Sequence, residues 1–327
     1  MIVISEADAR ELLTMADAIQ TMATAFRAIH AKHAVAFPLV REQISECNAV
    51  FGVKSGACIQ DDTLGLKAGG YWASNSQKGL TNHQSSTVLF NPETGQPLAF
   101  VGANYLTALR TAAVAGLATD RLSRPESSVM GIIGAGTQAV FQIEAVLAVR
   151  PISKLIVASR TEESARRLSE QARLLGIQEV TIGSTVEAAE QADVLTTITP
   201  AREAVVELAA VRPGTHINAM GADTAGKQEI DSSLLRVARV FVDDWTQAAA
   251  VGECQHGVSH WKMTQGDLAG TLGGLAADAV PGRVTADDIT IFDSTGMALQ
   301  DLSVARVVVD RARQRGMGQE IVLESAS

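Results

Sequence analysis

An apolar segment that runs into a glycine-rich turn and then into a helical pattern constrains the fold of this chain more than any other feature. The apolar residues 129–133 are followed by Gly134, Gly136 and Ala139, in the spacing G-x-G-x-x-A. Helical periodicity then leads to a second apolar run at Lys154–Ala158. A strand, a glycine turn, a helix and a second strand of these lengths predict a β-α-β unit.

The spacing of this turn is typical of dinucleotide binding. Gly134 permits the tight turn, Gly136 lets the backbone approach a pyrophosphate, and the small Ala139 lets the helix pack closely on its strand. The phosphates would lie at the N-terminus of that helix. A glycine turn that merely joins strand to helix is the alternative, but the completed β-α-β unit favours a nicotinamide or flavin dinucleotide.

The end of the second strand indicates which nucleotide is bound. An Asp or Glu there would accept a hydrogen bond from the ribose 2′-hydroxyl, but the sequence has Ser159, Arg160 and Thr161. Arg160 can donate charge-assisted hydrogen bonds to a 2′-phosphate and stack on the adenine. We therefore favour NADP(H) over NAD(H), with an ordinary solvated Arg160 as the alternative.

The chain divides into two regions of different periodicity. Residues 5–35 are helical, with Ser5 and Thr14 as caps, and short β-like pieces follow, the first at 36–41. From residue 127 onward, strands alternate with helical stretches such as 162–175, which is typical of a doubly wound parallel sheet. The predicted strands of this second region lie near Val129, Leu155, Val180, Val194, His216, Val240 and Ile289.

We therefore predict an α/β fold with two domains, which a length of 327 residues suits. A dinucleotide-binding domain with a Rossmann-type doubly wound parallel sheet would occupy residues 121–296. An α+β domain would comprise residues 1–120 together with 297–327. Within the latter segment, an amphipathic helix at 297–315 could return to pack on the first domain.

Composition disfavours several classes of partner. The net charge of −9 argues against a nucleic-acid or anionic-membrane surface. Cys47, Cys58 and Cys254 are odd in number and widely spaced, so neither a disulfide framework nor a structural zinc site is indicated. The first residues lack a basic region and no apolar run approaches a bilayer span, so we expect a cytoplasmic protein without an export signal.

Three cations interrupt apolar or small surroundings in the first 120 residues: Arg41, Lys67 and Arg110. A charge in such surroundings must be paired, because an unpaired buried ion is costly. Structural ion pairs or snorkelling would explain each one alone, whereas three together on a dinucleotide enzyme favour a pocket for a carboxylate. His83, in a polar stretch after Lys67, could bind substrate or be a structural histidine.

Acids and histidines in the second region offer further candidates. Asp223 ends a strand and its loop, where ligands of open parallel sheets bind, so it is well placed to face the nicotinamide; a turn or N-cap Asp is the alternative. Asp293 follows another strand and could cap the last helix or contact the nucleotide. Glu253, His256 and His260 lie at helical spacing but not in a metal-binding pattern, so we predict a polar helix face and no metal.

Five segments together resemble the ornithine cyclodeaminase and mu-crystallin family over nearly the full length. They are G-L-K at Lys67, L-x-A-L-R-T-A-A at Arg110, the dinucleotide turn, A-M-G-A-D at Asp223, and D-S-T-G-M-A-L-Q-D after Phe292. The resemblance implies a homodimer. Its N-terminal domain, completed by the C-terminal helix, would supply both the dimer interface and the substrate pocket.

The resemblance also implies roles for individual residues. Arg41, Lys67 and Arg110 would hold the substrate carboxylate, and Asp223 would handle the amine or imine nitrogen, so that Lys67 and Asp223 are the catalytic candidates. His83 is a further candidate for substrate binding. The candidate nucleotide-binding residues are Thr111, Gly134, Ala135, Gly136, Thr137, Gln138, Ser159, Arg160, Thr161, Thr197, Met220, Gly221, Asp223 and Ser294.

The family catalyses several reactions, and fold resemblance does not choose among them. The segments G-L-K-A-G-G-Y-W, N-H-Q-S, G-A-D-T-A-G-K-Q-E and G-E-C-Q-H look most similar to the branch that reduces iminosuccinate. This similarity implies NAD(P)H-dependent reduction of a small 2-imino acid, iminosuccinate to L-aspartate above all, with Arg41 and His83 as candidates for the second carboxylate. Ornithine or lysine cyclodeamination, alanine dehydrogenation and a non-catalytic, NADPH-binding mu-crystallin-like protein are the alternatives.

Overall fold

The computed structural model describes residues 1–323. Its contacts divide the chain into two compact units. Unit 1 comprises Met1–Thr111 with the chain from Met297 onward, and unit 2 comprises Ala112–Gly296. A mixed sheet in unit 1 and a parallel sheet in unit 2 confirm the predicted α/β fold class. Among the described residues, no helix is long and apolar enough to cross a membrane.

Unit 1 combines helices with a mixed sheet. Its helices are α1 (Glu6–Leu12), α2 (Met15–His30) and the first part of α3 (Asn104–Leu122). Its strands are β1 (Ile2–Ile4), β2 (Ala34–Ala36), β3 (Val40–Ile44), β4 (Ala49–Cys58), β5 (Thr63–Trp72), β6 (His83–Phe90) and β7 (Pro97–Gly102).

Unit 2 alternates strands and helices before the chain returns to unit 1. Its strands are β8 (Val129–Ile133), β9 (Lys154–Ala158), β10 (Glu179–Ile182), β11 (Val194–Thr197), β12 (Arg202–Val206), β13 (His216–Ala219), β14 (Gln228–Ile230), β15 (Arg239–Val242), β16 (Gly270–Thr271) and β17 (Thr290–Asp293). Its helices are α4 (Ala139–Leu147), α5 (Glu162–Leu174), α6 (Thr185–Gln191), α7 (Leu234–Val237), α8 (Trp245–Val251), α9 (Cys254–Trp261) and α10 (Leu272–Ala276). The returning elements of unit 1 are α11 (Ala298–Arg315) and β18 (Gln319–Glu320).

The order of the parallel strands in unit 2 reverses direction next to β8. The order is β10-β9-β8-β11-β13-β17-β15-β16, so the chain winds to one side from β8 through β10 and then crosses to β11 on the other side. In open parallel sheets, ligands bind outside the carboxyl ends of the strands at such a reversal. The glycine turn follows β8 and therefore lies at this point.

Local sequence signals explain where the first helices begin. Ser5 and Thr14 are N-caps as predicted, each accepting a backbone N–H from an Asp three residues later, whose carboxylate in turn accepts the N–H of the cap. Two predictions nearby are wrong. The helix expected to reach residue 35 ends at His30, and the strand expected at 36–41 is interrupted around Pro38, because proline has no N–H for a sheet ladder.

The sheet of unit 1 collects charged side chains on one face, termed the inner face. Lys54 on β4 lies directly opposite Lys67 on β5, and Lys67 lies opposite Thr87 on β6. Directly opposite side chains of antiparallel strands share a face. Arg41 on β3 opposes Gly52, two residues from Lys54, and belongs to the same face.

The outer face of this sheet carries several exposed apolar side chains. The register and alternation place Val35, Val40, Phe51 and Phe100 on it, and these side chains are between 36% and 53% exposed. Large apolar side chains exposed together on one face are typical of interaction sites in soluble proteins.

α11 packs on the inner face where the sheet presents glycines. A Cβ atom at Gly56 would lie 2.9 Å from Leu299 Cδ2, and one at Gly65 would lie 3.1 Å from Leu302 Cδ2. The helix therefore approaches the sheet more closely than larger residues would permit. This approach carries Asp301, in the first turn of α11, to β5.

Gly65→Ala tests the importance of this close packing. The added methyl would meet the Val88 carbonyl oxygen and Leu302, so we expect the free energy of unfolding to fall by ~2 kcal/mol, as for other overpacked cores. Urea denaturation measures the change. Gly266→Ala is the matched control, because the nearest atom to its added methyl would be 3.6 Å away; equal stability of the two variants would contradict the packing argument.

Candidate active site

Two buried cations share one buried carboxylate on the inner face of unit 1. Lys67 Nζ lies 3.0 Å from Asp301 Oδ1, and Arg110 Nε lies 2.9 Å from the same oxygen. Arg110 also donates from Nη1 to Gln300 Oε1 over 2.6 Å. Each of the three charged residues is less than a tenth exposed. The structure thus brings together Lys67 and Arg110, two of the three cations that the sequence analysis assigned to a carboxylate pocket.

The charges in this cluster do not cancel. Burial lowers the pKa of Lys67 to about 8, although Asp301 opposes the shift. Burial alone would raise the pKa of Asp301, but Arg110, Lys67 and Lys54 together lower it to about 2. At pH 7 the carboxylate of Asp301 is therefore ionised and faces more than one positive charge.

Some polar atoms of the cluster have no partner within residues 1–323. These are Asp301 Oδ2 and Gln300 Nε2, both buried. Buried polar atoms are seldom left without a hydrogen bond, so water or a ligand is expected at these atoms. An anion here would also balance the excess positive charge.

Arg41 and His83, the other predicted substrate residues, lie on the inner face but differ in character. Arg41 is exposed on β3. His83 opposes Tyr71, four residues along β5 from Lys67. Burial, and then the charge of Lys67, lowers the pKa of His83 to about 4. His83 is therefore neutral at pH 7 and can donate a hydrogen bond, but it cannot balance the charge of a carboxylate.

The glycine turn of unit 2 fits a pyrophosphate. Gly134 has a φ of 111°, and a Cβ atom there would lie 2.5 Å from the Ile198 carbonyl oxygen, so a glycine is required. At Gly136 a Cβ atom would meet no described atom within 4 Å, which leaves open space beside the backbone. No side chain caps α4 at its start, so phosphate oxygens can accept its first N–H groups. The other predicted residues of this turn are Ala135, Thr137 and Gln138.

The residues after β9 have different roles. Ser159 is partly buried and Arg160 is exposed. Within residues 1–323, the Arg160 guanidinium has no hydrogen-bond or ion-pair partner. The Thr161 side chain accepts the Ser164 N–H over 3.4 Å and caps α5. Arg160 is therefore available to a ligand, whereas the Thr161 hydroxyl already has a structural role.

A buried carboxylate, Glu229, organises two loops of unit 2 at the carboxyl ends of β11 and β13. Its Oε1 accepts the N–H and the hydroxyl of Thr199 over 2.6 and 2.7 Å. Its Oε2 accepts the Thr197 hydroxyl over 2.8 Å and the Gly221 N–H over 2.7 Å. Burial raises the pKa of Glu229, and these four donors oppose the rise. Thr197 and Gly221, two predicted nucleotide residues, are therefore held in place by Glu229.

Asp223 lies just beyond this loop and is paired. Lys227 Nζ donates to Asp223 Oδ1 over 2.7 Å and to the Gly221 carbonyl over 3.2 Å. The Asp223 side chain remains 46% exposed, so its carboxylate is also accessible to a ligand.

The remaining predicted nucleotide residues are buried or lie in segments held by hydrogen bonds. Asp243 accepts the N–H groups of Thr295 and Gly296 over 2.8 and 2.6 Å and thereby holds the loop that contains Ser294. Met220 is buried. The Thr111 hydroxyl donates to the Thr107 carbonyl over 2.7 Å.

The structure departs from two sequence expectations in unit 2. Of the two roles left open for Asp293, capping of the last helix is not observed; its Oδ2 accepts the Cys254 N–H over 2.9 Å, at the start of α9. Glu253 does not lie on a polar helix face. It is buried and accepts the backbone N–H groups of Glu229 and Ile230.

The two histidines of the same segment bind different partners. His256 Nε2 lies 2.8 Å from the Lys227 carbonyl, and His260 Nδ1 lies 2.9 Å from the Ser232 hydroxyl. Within residues 1–323, no group of His, Cys, Asp and Glu side chains could hold a metal ion.

Sequence patterns did not indicate Asp301, Gln300 or Glu229 as site residues. Asp301 lies between the apolar Leu299 and Leu302 at the start of α11, and an acid flanked in this way signals a buried partner. Glu229 lies in the segment G-A-D-T-A-G-K-Q-E, but nothing in its spacing indicates the two loops that it joins.

Residues 1–316 match the model of the ornithine cyclodeaminase/mu-crystallin family. The chain belongs to this family. Iminosuccinate reductase of Paracoccus denitrificans is 40% identical over 98% of this chain and 99% of its own length. Its crystal structure with NAD+ has a TM-score of 0.93 and covers 99% of both chains at 39% identity. The resemblance predicted from the motifs is therefore confirmed.

Two further family members have the same architecture. An archaeal alanine dehydrogenase dimer with bound NAD is 36% identical, with a TM-score of 0.93 and coverage of 99% of both chains. The Δ1-pyrroline-2-carboxylate reductase of Thermococcus litoralis, in complex with NADH and L-proline, is 30% identical, with a TM-score of 0.94 and coverage of 98% of this chain and 100% of its own. The present chain is an oxidoreductase of the ornithine cyclodeaminase/mu-crystallin family.

Glu229→Gln tests whether this carboxylate holds the two loops of unit 2. An amide keeps one acceptor oxygen, so its NH2 group would face a backbone N–H of Thr199 or Gly221 and leave it unpaired. We expect a loss of ~2 kcal/mol in the free energy of unfolding, the usual cost of an unsatisfied buried donor, together with weaker binding of a reduced nicotinamide dinucleotide. Urea denaturation and fluorescence titration with NADH and NADPH measure the two effects.

Glu203→Gln on β12 is the control, because Glu203 is exposed. Its stability and nucleotide affinity should match those of the wild type. If Glu229→Gln behaves as the wild type in both measurements, Glu229 does not hold the two loops in place.

Proposed function

We propose that this enzyme reduces a small 2-imino acid to the L-amino acid with a nicotinamide dinucleotide, and that iminosuccinate, which yields L-aspartate, is its substrate. The observation that carries the proposal is the buried cluster in which Lys67 and Arg110 share the single carboxylate of Asp301. A substrate carboxylate would accept hydrogen bonds from both cations and balance their remaining charge. Relatives of similar length that act on imino or amino acids support the same class of substrate.

The reaction adds a hydride to C2 of the imine and a proton to its nitrogen. The nicotinamide, when bound, supplies the hydride. Lys67 and Arg110 would fix the 2-carboxylate and so the orientation of C2. Asp223 would accept a hydrogen bond from the iminium N–H and exchange its proton, while Lys227 keeps the Asp223 carboxylate in position.

The nucleotide is proposed to be NADPH in preference to NADH. Arg160 is exposed just after β9, and the three residues that follow this strand directly, Ser159, Arg160 and Thr161, include no acid that could bind a ribose 2′-hydroxyl. A guanidinium at this position suits a 2′-phosphate.

The outer face of unit 1 is proposed to pair with a second copy of the chain. Val40, Phe51 and Phe100 expose apolar surface there, which a homodimer would bury. The alanine dehydrogenase relative is itself a dimer.

Alanine dehydrogenation is the second candidate reaction, since the alanine dehydrogenase is 36% identical over 99% of both chains. It requires one carboxylate site, which Lys67 and Arg110 also provide. Iminosuccinate is preferred because the iminosuccinate reductase of Paracoccus denitrificans is 40% identical over 98% of this chain.

An absorbance assay tests the proposed function. Purified enzyme is mixed with NADPH or NADH, ammonia, and oxaloacetate, pyruvate or glyoxylate, with iminosuccinate formed from the first of these. We expect nucleotide oxidation with iminosuccinate well above that with the other imines. Preferential turnover with pyruvate would indicate an alanine dehydrogenase. Ammonia release from ornithine or lysine without net nucleotide consumption would indicate a cyclodeaminase, and tight NADPH binding without turnover would indicate a binding protein.

The pH dependence of carboxylate binding tests the role of Lys67. Its pKa of about 8 means that the ammonium loses its proton as the pH rises through that value. Succinate does not titrate in this range, so its inhibition of the enzyme should be constant at lower pH and weaken above pH 8. Succinate should inhibit the Lys67→Met variant only weakly at every pH. An inhibition constant for the wild type that stays unchanged up to pH 10 would contradict the role of Lys67 in carboxylate binding.

Arg160→Gln tests nucleotide selection. Loss of charge-assisted hydrogen bonds to a 2′-phosphate, worth ~2 kcal/mol, should weaken NADPH binding about 30-fold and change NADH binding little. Fluorescence titration measures both. Arg166→Gln on α5 is the control, because Arg166 is exposed and paired with Glu162. An equal loss for the two nucleotides, or tighter NADH binding by the wild type, would overturn the preference for NADPH.

A further inference from the structure

The segment G-E-C-Q-H, which contains Gln255 and His256, supports the loop that carries Asp223. Gln255 Oε1 accepts the Gly226 N–H over 2.8 Å, and Gln255 Nε2 donates to the Lys227 carbonyl over 3.2 Å. His256 Nε2 lies 2.8 Å from the same carbonyl oxygen. The segments G-A-D-T-A-G-K-Q-E and G-E-C-Q-H are therefore joined in the structure.

The conformation of the loop after Asp223 depends on hydrogen bonds. Ala225 and Gly226 are exposed, and the Lys227 N–H donates to the Thr224 carbonyl over 3.1 Å, which closes a turn. Gly226 has a φ of 77°, a backbone conformation that suits glycine at this position of a turn. An exposed turn buries little apolar surface, so the groups that bind its backbone determine how firmly it is held.

The amide of Gln255 suits this contact because it accepts and donates at the same time. Its oxygen accepts from the turn, while its NH2 group donates to the Lys227 carbonyl and, over 2.8 Å, to the Gly252 carbonyl. A carboxylate of the same shape would keep the first hydrogen bond but would face two carbonyl oxygens without a proton to donate. Gln255 therefore connects the loop to the start of α9 through both of its polar atoms.

The start of α9 is fixed to the parallel sheet of unit 2. Asp293, at the end of β17, accepts the Cys254 N–H over 2.9 Å. A Cβ atom at Gly252 would lie 2.7 Å from both carboxylate oxygens of Asp293, so this close approach requires a glycine. Gln255 therefore reaches the loop from a base that is itself held in place.

Asp223 lies between two held points of one segment. The Gly221 N–H donates to Glu229 over 2.7 Å, and the Lys227 carbonyl accepts from Gln255. Between these points, Lys227 Nζ donates to Asp223 Oδ1 over 2.7 Å. A displacement of the Lys227 backbone would therefore move its ammonium group and, with it, the Asp223 carboxylate.

We propose that Gln255 is a positioning residue for catalysis, because it holds the loop that presents Asp223 to the substrate nitrogen. This inference rests on the proposed function, in which Asp223 exchanges a proton with that nitrogen. A misplacement of about 1 Å can cost a reaction about 100-fold in rate. The carboxylate site of Lys67 and Arg110 does not use this loop, so a displaced loop should lower kcat and leave inhibition by succinate unchanged.

The test compares Gln255→Leu and Gln255→Glu with the wild type at saturating nucleotide. We expect kcat for iminosuccinate to fall about 10-fold in both variants, as for a slightly misplaced catalytic group. The inhibition constant of succinate should change less than about 2-fold, since Lys67 and Arg110 are unaltered. Both variants should fold, because Gln255 is partly exposed and water replaces its lost hydrogen bonds.

Amide hydrogen exchange provides a measurement that needs no substrate. In Gln255→Leu, the peptide 222–228 should exchange faster than in the wild type, whereas the peptide of β9 should exchange at the same rate. Unchanged exchange in the loop would overturn the positioning role. Faster exchange throughout the chain would overturn it as well, because it would indicate a loss of global stability.

Gln171→Glu is the matched control, because Gln171 is exposed on α5 and the change of charge is the same. It should behave as the wild type in every measurement. Unchanged kcat in the two Gln255 variants, or a fall in kcat together with an equal weakening of succinate inhibition, would overturn the role of Gln255 and leave the proposed function intact.

Failure of the proposed function would give a different result. If the wild type does not reduce iminosuccinate, the proposed function is wrong, and hydrogen exchange in the loop decides about Gln255. Faster exchange confined to the peptide 222–228 in Gln255→Leu then supports the inference that Gln255 holds the loop. Unchanged exchange in that peptide overturns it.

Discussion

The ion cluster of Lys67, Arg110 and Asp301 is the interaction on which the proposed carboxylate site of unit 1 depends. Buried ion pairs contribute little net stability compared with apolar packing, whereas perturbed charges gathered at one place are typical of functional sites. Asp301 reaches the sheet only because α11 packs closely on Gly56 and Gly65. The return of the chain to unit 1 therefore completes the ion cluster as well as the core of the unit.

Unit 2 uses buried carboxylates in another way. Glu229 and Asp243 each accept several N–H and hydroxyl groups from loops at the carboxyl ends of strands. A carboxyl group that accepts several hydrogen bonds fixes these loops, because each lost hydrogen bond would leave a buried group unsatisfied. Preorganised loops of this kind hold a ligand without further ordering on binding.

The fold was more predictable from the sequence than the site. The glycine turn, the alternating strands of unit 2 and the caps Ser5 and Thr14 depend on residues a few positions apart, so local patterns indicate them. Lys67 and Arg110 were predicted because cations in apolar surroundings require partners. Their partner Asp301 is 234 and 191 residues away along the chain. Such pairings arise from topology, which no local pattern contains.

We propose that Lys67 and Arg110, held by Asp301, bind the substrate carboxylate. A crystal structure of the enzyme with oxidised nucleotide and L-aspartate tests it most directly. We predict carboxylate oxygens of L-aspartate within about 3 Å of Lys67 Nζ and of the Arg110 guanidinium, with both ion pairs to Asp301 retained. L-Aspartate bound through other residues, while Lys67 and Arg110 contact Asp301 alone, would contradict the claim.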